Sequence, residues 1–117
     1  MKIRLFLSLW FLLSSAAEIL AAELHLLMFE KHGCVYCAEW NEKIGPQYPL
    51  TSEGKVAPLL RLQLGEPLPE WITLKSNPVF TPTFILVNGG IETGRITGYP
   101  GQDFFFPMLA KLINEEK

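Results

Sequence analysis

The chain has 117 residues, with 10 Lys and Arg against 12 Asp and Glu, for a formal charge of −2. That length allows one domain at most. No basic block of four or more residues occurs, so nucleic acid and anionic membrane surfaces are excluded as expected partners.

The first stretch reads as a leader rather than as part of the domain. Lys2 and Arg4 give a short basic lead, Leu5 to Leu13 is apolar except for Ser8, and the small residues Ser14, Ser15, Ala16 and Ala17 follow. This is the three-part layout of a secretory signal peptide. The apolar core falls short of the roughly 20 residues a membrane-spanning helix needs, and Glu18 interrupts any extension to Ala22. Residues 1–22 are therefore expected to be a signal peptide, cut after Ala17 or Ala22, with an uncleaved N-terminal anchor as the alternative. Residues 23–117 are expected to form the functional domain, small enough to be only marginally stable.

Leu24 to Phe29 is almost wholly apolar, as a strand buried on both faces should be. Glu30-Lys31-His32-Gly33 reads as a polar turn. Cys34 to Gly45 reads as a helix stopped by Gly45-Pro46, with Val35, Ala38, and Trp40 or Ile44 turned inward. Gln47 to Val56 is a connection with room for a turn of helix. Leu59 to Leu64 alternates as a strand, Arg61 and Gln63 against Leu60, Leu62 and Leu64. A short helix is expected over Glu70 to Leu74, ended by Asn77-Pro78. Thr83 to Val87 and Ile91 to Thr97 are strands joined by the hairpin signal Asn88-Gly89-Gly90. The last helix runs to about Asn114, with Pro107 expected in its first turn because an interior proline breaks the ladder. The order β-α-β, link, β-β-α gives an α/β domain: one four-stranded mixed sheet flanked by helices.

The chemistry lies in the two cysteines, Cys34-Val35-Tyr36-Cys37. A disulfide closing so small a loop removes little chain entropy, so it is a poor structural staple. A cysteine at a helix start sits by unpaired backbone N–H groups that favour its thiolate, and in CxxC motifs the thiol pKa falls below its free value. Cys34 holds that position. Cys37, one turn on and set back, is the expected resolving thiol. Lys31 and His32 add positive potential that Glu30 opposes. A structural zinc site needs four ligands, and only His25 and His32 remain to supply them. Haem attachment requires His after Cys37, where Ala38 stands. Tyr36, between the cysteines, is expected to be exposed and to touch a partner. Trp40 is expected to pack under the helix, and Phe104-Phe105-Phe106 cannot all face inward from one helix. Pro82 starts a strand acceptably in trans, and only about 5–6% of X–Pro bonds are cis, so the residues alone leave its isomer open.

A CxxC at a helix start, a proline just ahead of the third strand and a closing hairpin plus helix together resemble the thioredoxin superfamily over Leu24 to Asn114. The resemblance implies a cis Thr81–Pro82 bond facing Cys34 and Cys37, with the Thr81 backbone pairing to an extended substrate segment. More narrowly, Met28-Phe29-Glu30, Cys34 to Asn41, Pro46 to Leu50, Phe80 to Phe84 and Gly98-Tyr99-Pro100-Gly101 look like the small exported thioredoxins encoded with bacterial sulfur-oxidation systems. That group implies a periplasmic reductase that keeps a cysteine of a partner, such as a sulfur-carrier protein, reduced, with electrons from a membrane thiol donor. The chain departs from thioredoxins proper in three ways. Gly33 stands where Trp precedes the first Cys, Val35-Tyr36 replaces Gly-Pro, and Met28 occupies the place of a buried Asp that helps deprotonate the second Cys. Water and Glu30 are the candidates for that proton. The expectation is a monomeric protein thiol–disulfide oxidoreductase without metal or cofactor: Cys34 and Cys37 catalytic, Tyr36, Thr81 and Pro82 binding substrate. The alternative is a Cu(I)-binding metallochaperone, since soft thiolates suit Cu(I).

Overall fold

A computed structural model describes residues 23–117; the expected leader, residues 1–22, lies outside the described residues. Strands β1 (Leu24–Glu30), β2 (Leu59–Gln63), β3 (Thr83–Asn88) and β4 (Ile91–Thr97) form one sheet in the order β2-β1-β3-β4. β1 and β2 run parallel, joined by a crossover through helix α1 (Val35–Lys43), a 3₁₀ turn (Tyr48–Leu50) and helix α2 (Ser52–Val56). β1 with β3 and β3 with β4 are antiparallel. Helix α3 (Gln102–Asn114) closes the chain.

Alternation along the strands divides the core in two. Leu26 and Met28 of β1, Phe84 and Leu86 of β3 and Ile96 of β4 face α1 and α3, meeting Cys37, Trp40, Phe105, Leu109 and Ile113. Trp40 is fully buried and sits among Tyr48, Phe84 and Phe105, with ring centroids 5.2–6.0 Å away. Leu27, Phe29, Ile85 and Val87 face the other way and are covered by Leu68, Ile72 and Leu74 of the β2–β3 connection.

That connection corrects the helix expected over Glu70 to Leu74. Thr73 instead forms a parallel bridge with Ile91, its N–H donating to the Gly90 carbonyl (2.8 Å) and its carbonyl accepting from the Glu92 N–H (2.9 Å). The exposed edge of β4 offers those groups, and pairing with it outweighs one turn of local helix. Gly90, at φ +83°, has no room for a side chain, because a Cβ would run into the Trp71 carbonyl.

Three local expectations also shift. Glu30 ends β1 rather than starting the turn. Val35 and Ala38 are exposed, because the inward stripe of α1 and its cap is Cys37, Trp40 and Ile44. Pro107 lies in the second turn of α3, which begins at Gln102. It is exposed, as is Asp103, whose carbonyl it leaves without an amide partner, so solvent satisfies the gap. Among the three phenylalanines Phe105 is buried, Phe106 is partly covered and stacks on Tyr48, and Phe104 faces solvent.

Candidate active site

The end of β1 leads through a tight turn into α1. Gly33 takes φ +77°, a left-handed conformation that suits glycine and would strain a tryptophan. The turn places Cys34 at the N-cap of α1, in extended conformation, with its Sγ accepting the Cys37 N–H at 3.1 Å. A capping side chain normally supplies oxygen to that group; here sulfur does. Cys34 and Cys37 are joined as a disulfide, their Cα atoms 5.2 Å apart. The two residues differ in access. Cys34 is partly exposed, and Cys37 is 4% exposed within the core.

Both cysteines line an open cleft of about 420 Å³ with Glu30, Lys31, His32 and Asn41. Glu30 falls on the α1 face of β1, the face of Met28. Its carboxylate accepts from Asn41 Nδ2 (3.1 Å) and is bridged by Arg61 Nη1 (2.9 Å). The Arg61 guanidinium also lies 5.7 Å from the centre of a Trp40 ring. Lys31 and His32 are exposed.

Thr81 and Pro82 reach the same end of the sheet through strand register. Thr83 pairs with Phe29, next to the residue that ends β1. The Thr81–Pro82 peptide bond is cis. Pro82 is buried, with its carbonyl accepting the Gly98 N–H at 2.7 Å, and Thr81 is partly exposed. Tyr36 is exposed beside the cysteines. The sequence reading missed Val79 and Phe80, which stand 72% and 66% exposed just before Thr81. Two apolar residues between Pro78 and a polar Thr were the available signal. It also missed Asn41 and Arg61, whose roles depend on neighbours distant in sequence.

The fold recurs in solved structures. The periplasmic thioredoxin SoxS from Paracoccus pantotrophus, in its reduced form, is 57% identical, with 81% of this chain and 100% of that chain covered and a TM-score of 0.80. This chain belongs to the thioredoxin superfamily. Its CxxC pair in this fold makes it a thiol–disulfide oxidoreductase, held here in the oxidised form. Two more distant thioredoxins share the fold alone. That of Fasciola hepatica is 14% identical, covering 80% of this chain and 85% of its own, with a TM-score of 0.53. That of Malassezia sympodialis is 14% identical, covering 81% of each, with a TM-score of 0.50. No protein-family model matches the chain, and no curated protein matches it in sequence.

Proposed function

We propose that this thioredoxin-family protein is an exported, monomeric reductase of a cysteine-bearing partner protein, with Cys34 attacking and Cys37 resolving. The asymmetry of the pair carries the reading: Cys34 is the more exposed residue and its sulfur has an N–H on it at a helix N-terminus, while Cys37 is enclosed. In the reduced protein that end of α1 favours the Cys34 thiolate.

The Cys34 thiolate attacks the partner disulfide, forming a mixed disulfide and releasing one partner thiolate. Cys37 loses its proton and attacks the Cys34 sulfur, closing the Cys34–Cys37 bond and releasing the second partner thiolate. Two electrons pass from the protein dithiol to the partner. A dithiol donor, taken to be a membrane thiol transporter, returns them by the reverse exchange. Glu30, in the cleft with both cysteines, takes the Cys37 proton. Tyr36, Thr81 and Pro82 meet the substrate segment.

Likeness to a periplasmic thioredoxin supports residues 1–22 as an export leader or anchor and residues 23–117 as the working domain; the sulfur-carrier kind of partner rests on the sequence resemblance alone. The Cu(I) reading rests on the two thiolates alone. Among the described residues, no group of three or more His, Cys, Asp or Glu is placed to hold a metal.

The deciding experiment pairs two measurements. Cys37→Ser should accumulate a mixed disulfide with the natural partner, and Cys34→Ser should not. The potential of the pair should lie near about −270 mV, as for a reductase, rather than near about −120 mV, as for an oxidant. A trap formed equally through either cysteine would remove the assigned roles.

A further inference from the structure

In a regular strand, residues three apart point to opposite faces. Glu92 and Arg95 of β4 do not. The β3–β4 ladder shifts register between Leu86 and Val87, so that Val87 pairs with Glu92 and Leu86 with Gly94. The extra residue, Thr93, is a bulge that resets the alternation. Glu92 then stands opposite Val87 and Arg95 opposite Ile85, both residues of the core on the helix-free face.

There Arg95 grips the carboxylate with two nitrogens, Nε to Oε2 and Nη2 to Oε1, each at 2.7 Å. The Glu92 side chain is 3% exposed. The remaining hydrogen bonds of the pair go to one segment. The Lys75 N–H donates to Glu92 Oε1 (2.9 Å), and Arg95 Nη2 donates to the Ser76 carbonyl (2.7 Å). The next ladder position after Ser76 is Thr83. Between the two anchors lie Asn77 to Pro82, including the exposed Val79 and Phe80 and the partly exposed Thr81. A buried ion pair adds little stability over apolar residues of equal volume, and fixing a register is its better-attested use.

We propose that the Glu92–Arg95 pair is a positioning clamp for the Asn77–Pro82 loop, holding it in the shape on which a protein substrate docks beside Cys34. The proposal rests on the oxidoreductase reading above. Neither residue touches the reacting sulfurs. The clamp therefore governs protein substrates, which need the loop, and not small disulfides, which need only Cys34.

The test compares wild type with Glu92→Gln and Arg95→Lys on insulin and on oxidised glutathione, with the Cys34–Cys37 potential measured alongside. Gln keeps an acceptor for Lys75 but drops the charge. Lys keeps the charge but cannot span both Glu92 and the Ser76 carbonyl. KM for insulin should rise about tenfold, below the roughly 100-fold that a 1 Å misplacement costs at a reacting centre. The insulin kcat, the glutathione rate and the potential should hold, while amide exchange over residues 75–82 accelerates in both variants. An unchanged insulin KM with accelerated exchange would overturn the clamp. So would a parallel loss on both substrates with a shifted potential, which marks a general structural role. Should both variants fail to fold, exchange in wild type decides: a protected Lys75 amide supports the clamp, and one exchanging at the open-loop rate overturns it. A wild type that reduces neither substrate defeats the oxidoreductase reading itself, and the clamp's purpose with it.

Discussion

Glu30 reaches Asn41, one turn of α1 beyond Cys37, whose Nδ2 donates to its carboxylate at 3.1 Å. Met28 and Glu30 are two apart on β1 and so share a face, the one turned toward α1. The acid absent at Met28 has a candidate replacement one alternation later, lining the cleft rather than inside the core. Arg61 holds the same carboxylate from β2 at 2.9 Å.

Glu30→Gln keeps the size of the side chain and removes its capacity to take a proton. The second step, attack of Cys37 on the mixed disulfide, should slow by roughly 100-fold, the low end of what a positioned base contributes. The first step, attack by Cys34, should keep its rate. Stopped-flow decay of a preformed mixed disulfide separates the two. A decay rate equal to wild type assigns the proton to solvent.

Tyr48 is fully buried, and its hydroxyl donates to the Ala57 carbonyl at 2.6 Å, tying the 3₁₀ turn to the residue after α2. Burial raises its pKa well above the ordinary tyrosine value, with the Glu53 charge adding to the rise. The folded protein therefore keeps the phenol neutral where the unfolded chain ionises it. Its contribution is complete below about pH 10 and is lost as pH rises beyond it. Tyr48→Phe should cost about 1–2 kcal/mol in urea unfolding at neutral pH, since a buried carbonyl loses its donor. It should also weaken the alkaline decline. A variant with wild-type stability would show the bond to be energetically idle.

Where local pattern decides structure, the sequence was readable. The alternation of Arg61 and Gln63 with leucines placed β2, the Asn88-Gly89-Gly90 turn placed the β3–β4 hairpin, and the CxxC at a helix start placed the reactive pair. What could not be read depends on partners far along the chain. Residues 70–74 have helix-compatible composition, but Thr73 is captured by Ile91. The bulge at Thr93 had one ambiguous sign, the strand-interior Gly94, which also suits the close approach of Leu112; the register shift itself appears only against β3. Without it, Glu92 and Arg95 would read as facing opposite ways, so the ion pair was invisible as well. Val35 looked like a core residue by type. The helix phase, set by Cys37, Trp40 and Ile44, leaves it 74% exposed.

The three consecutive phenylalanines give a sharp contrast in stability. Phe105 is fully buried, its ring 4.9 Å from that of Phe84 and 5.7 Å from that of Trp40. Phe105→Ala should cost about 3–5 kcal/mol, the range for emptying a buried aromatic site. Phe104, 64% exposed, should lose no more than about 0.5 kcal/mol on the same change. Urea midpoints for the two variants check this directly. Equal losses would mean that Phe104 is covered in solution, by a second copy or by another surface.

The Glu92 carboxyl ties stability to acid pH. Burial alone would raise its pKa, but the Arg95 hydrogen bonds, the Lys75 N–H and the nearby positive charges outweigh burial and hold it below the ordinary carboxylate value. The folded protein therefore keeps the carboxylate charged where the unfolded chain has begun to take up a proton. That contribution is complete above the ordinary value of about 4.3 and disappears as pH falls through the lowered folded value. Glu92→Gln breaks the pair and leaves Arg95 largely covered without a counter-charge. It should cost about 3 kcal/mol at neutral pH, the low end for removing one partner of a buried pair, since the Arg95 side chain keeps 21% exposure. Urea unfolding from about pH 7 to about pH 3 should show the gap between wild type and variant narrowing toward acid. Parallel curves would mean that Glu92 is not charged in the native protein, and the bidentate contact with Arg95 would need another origin.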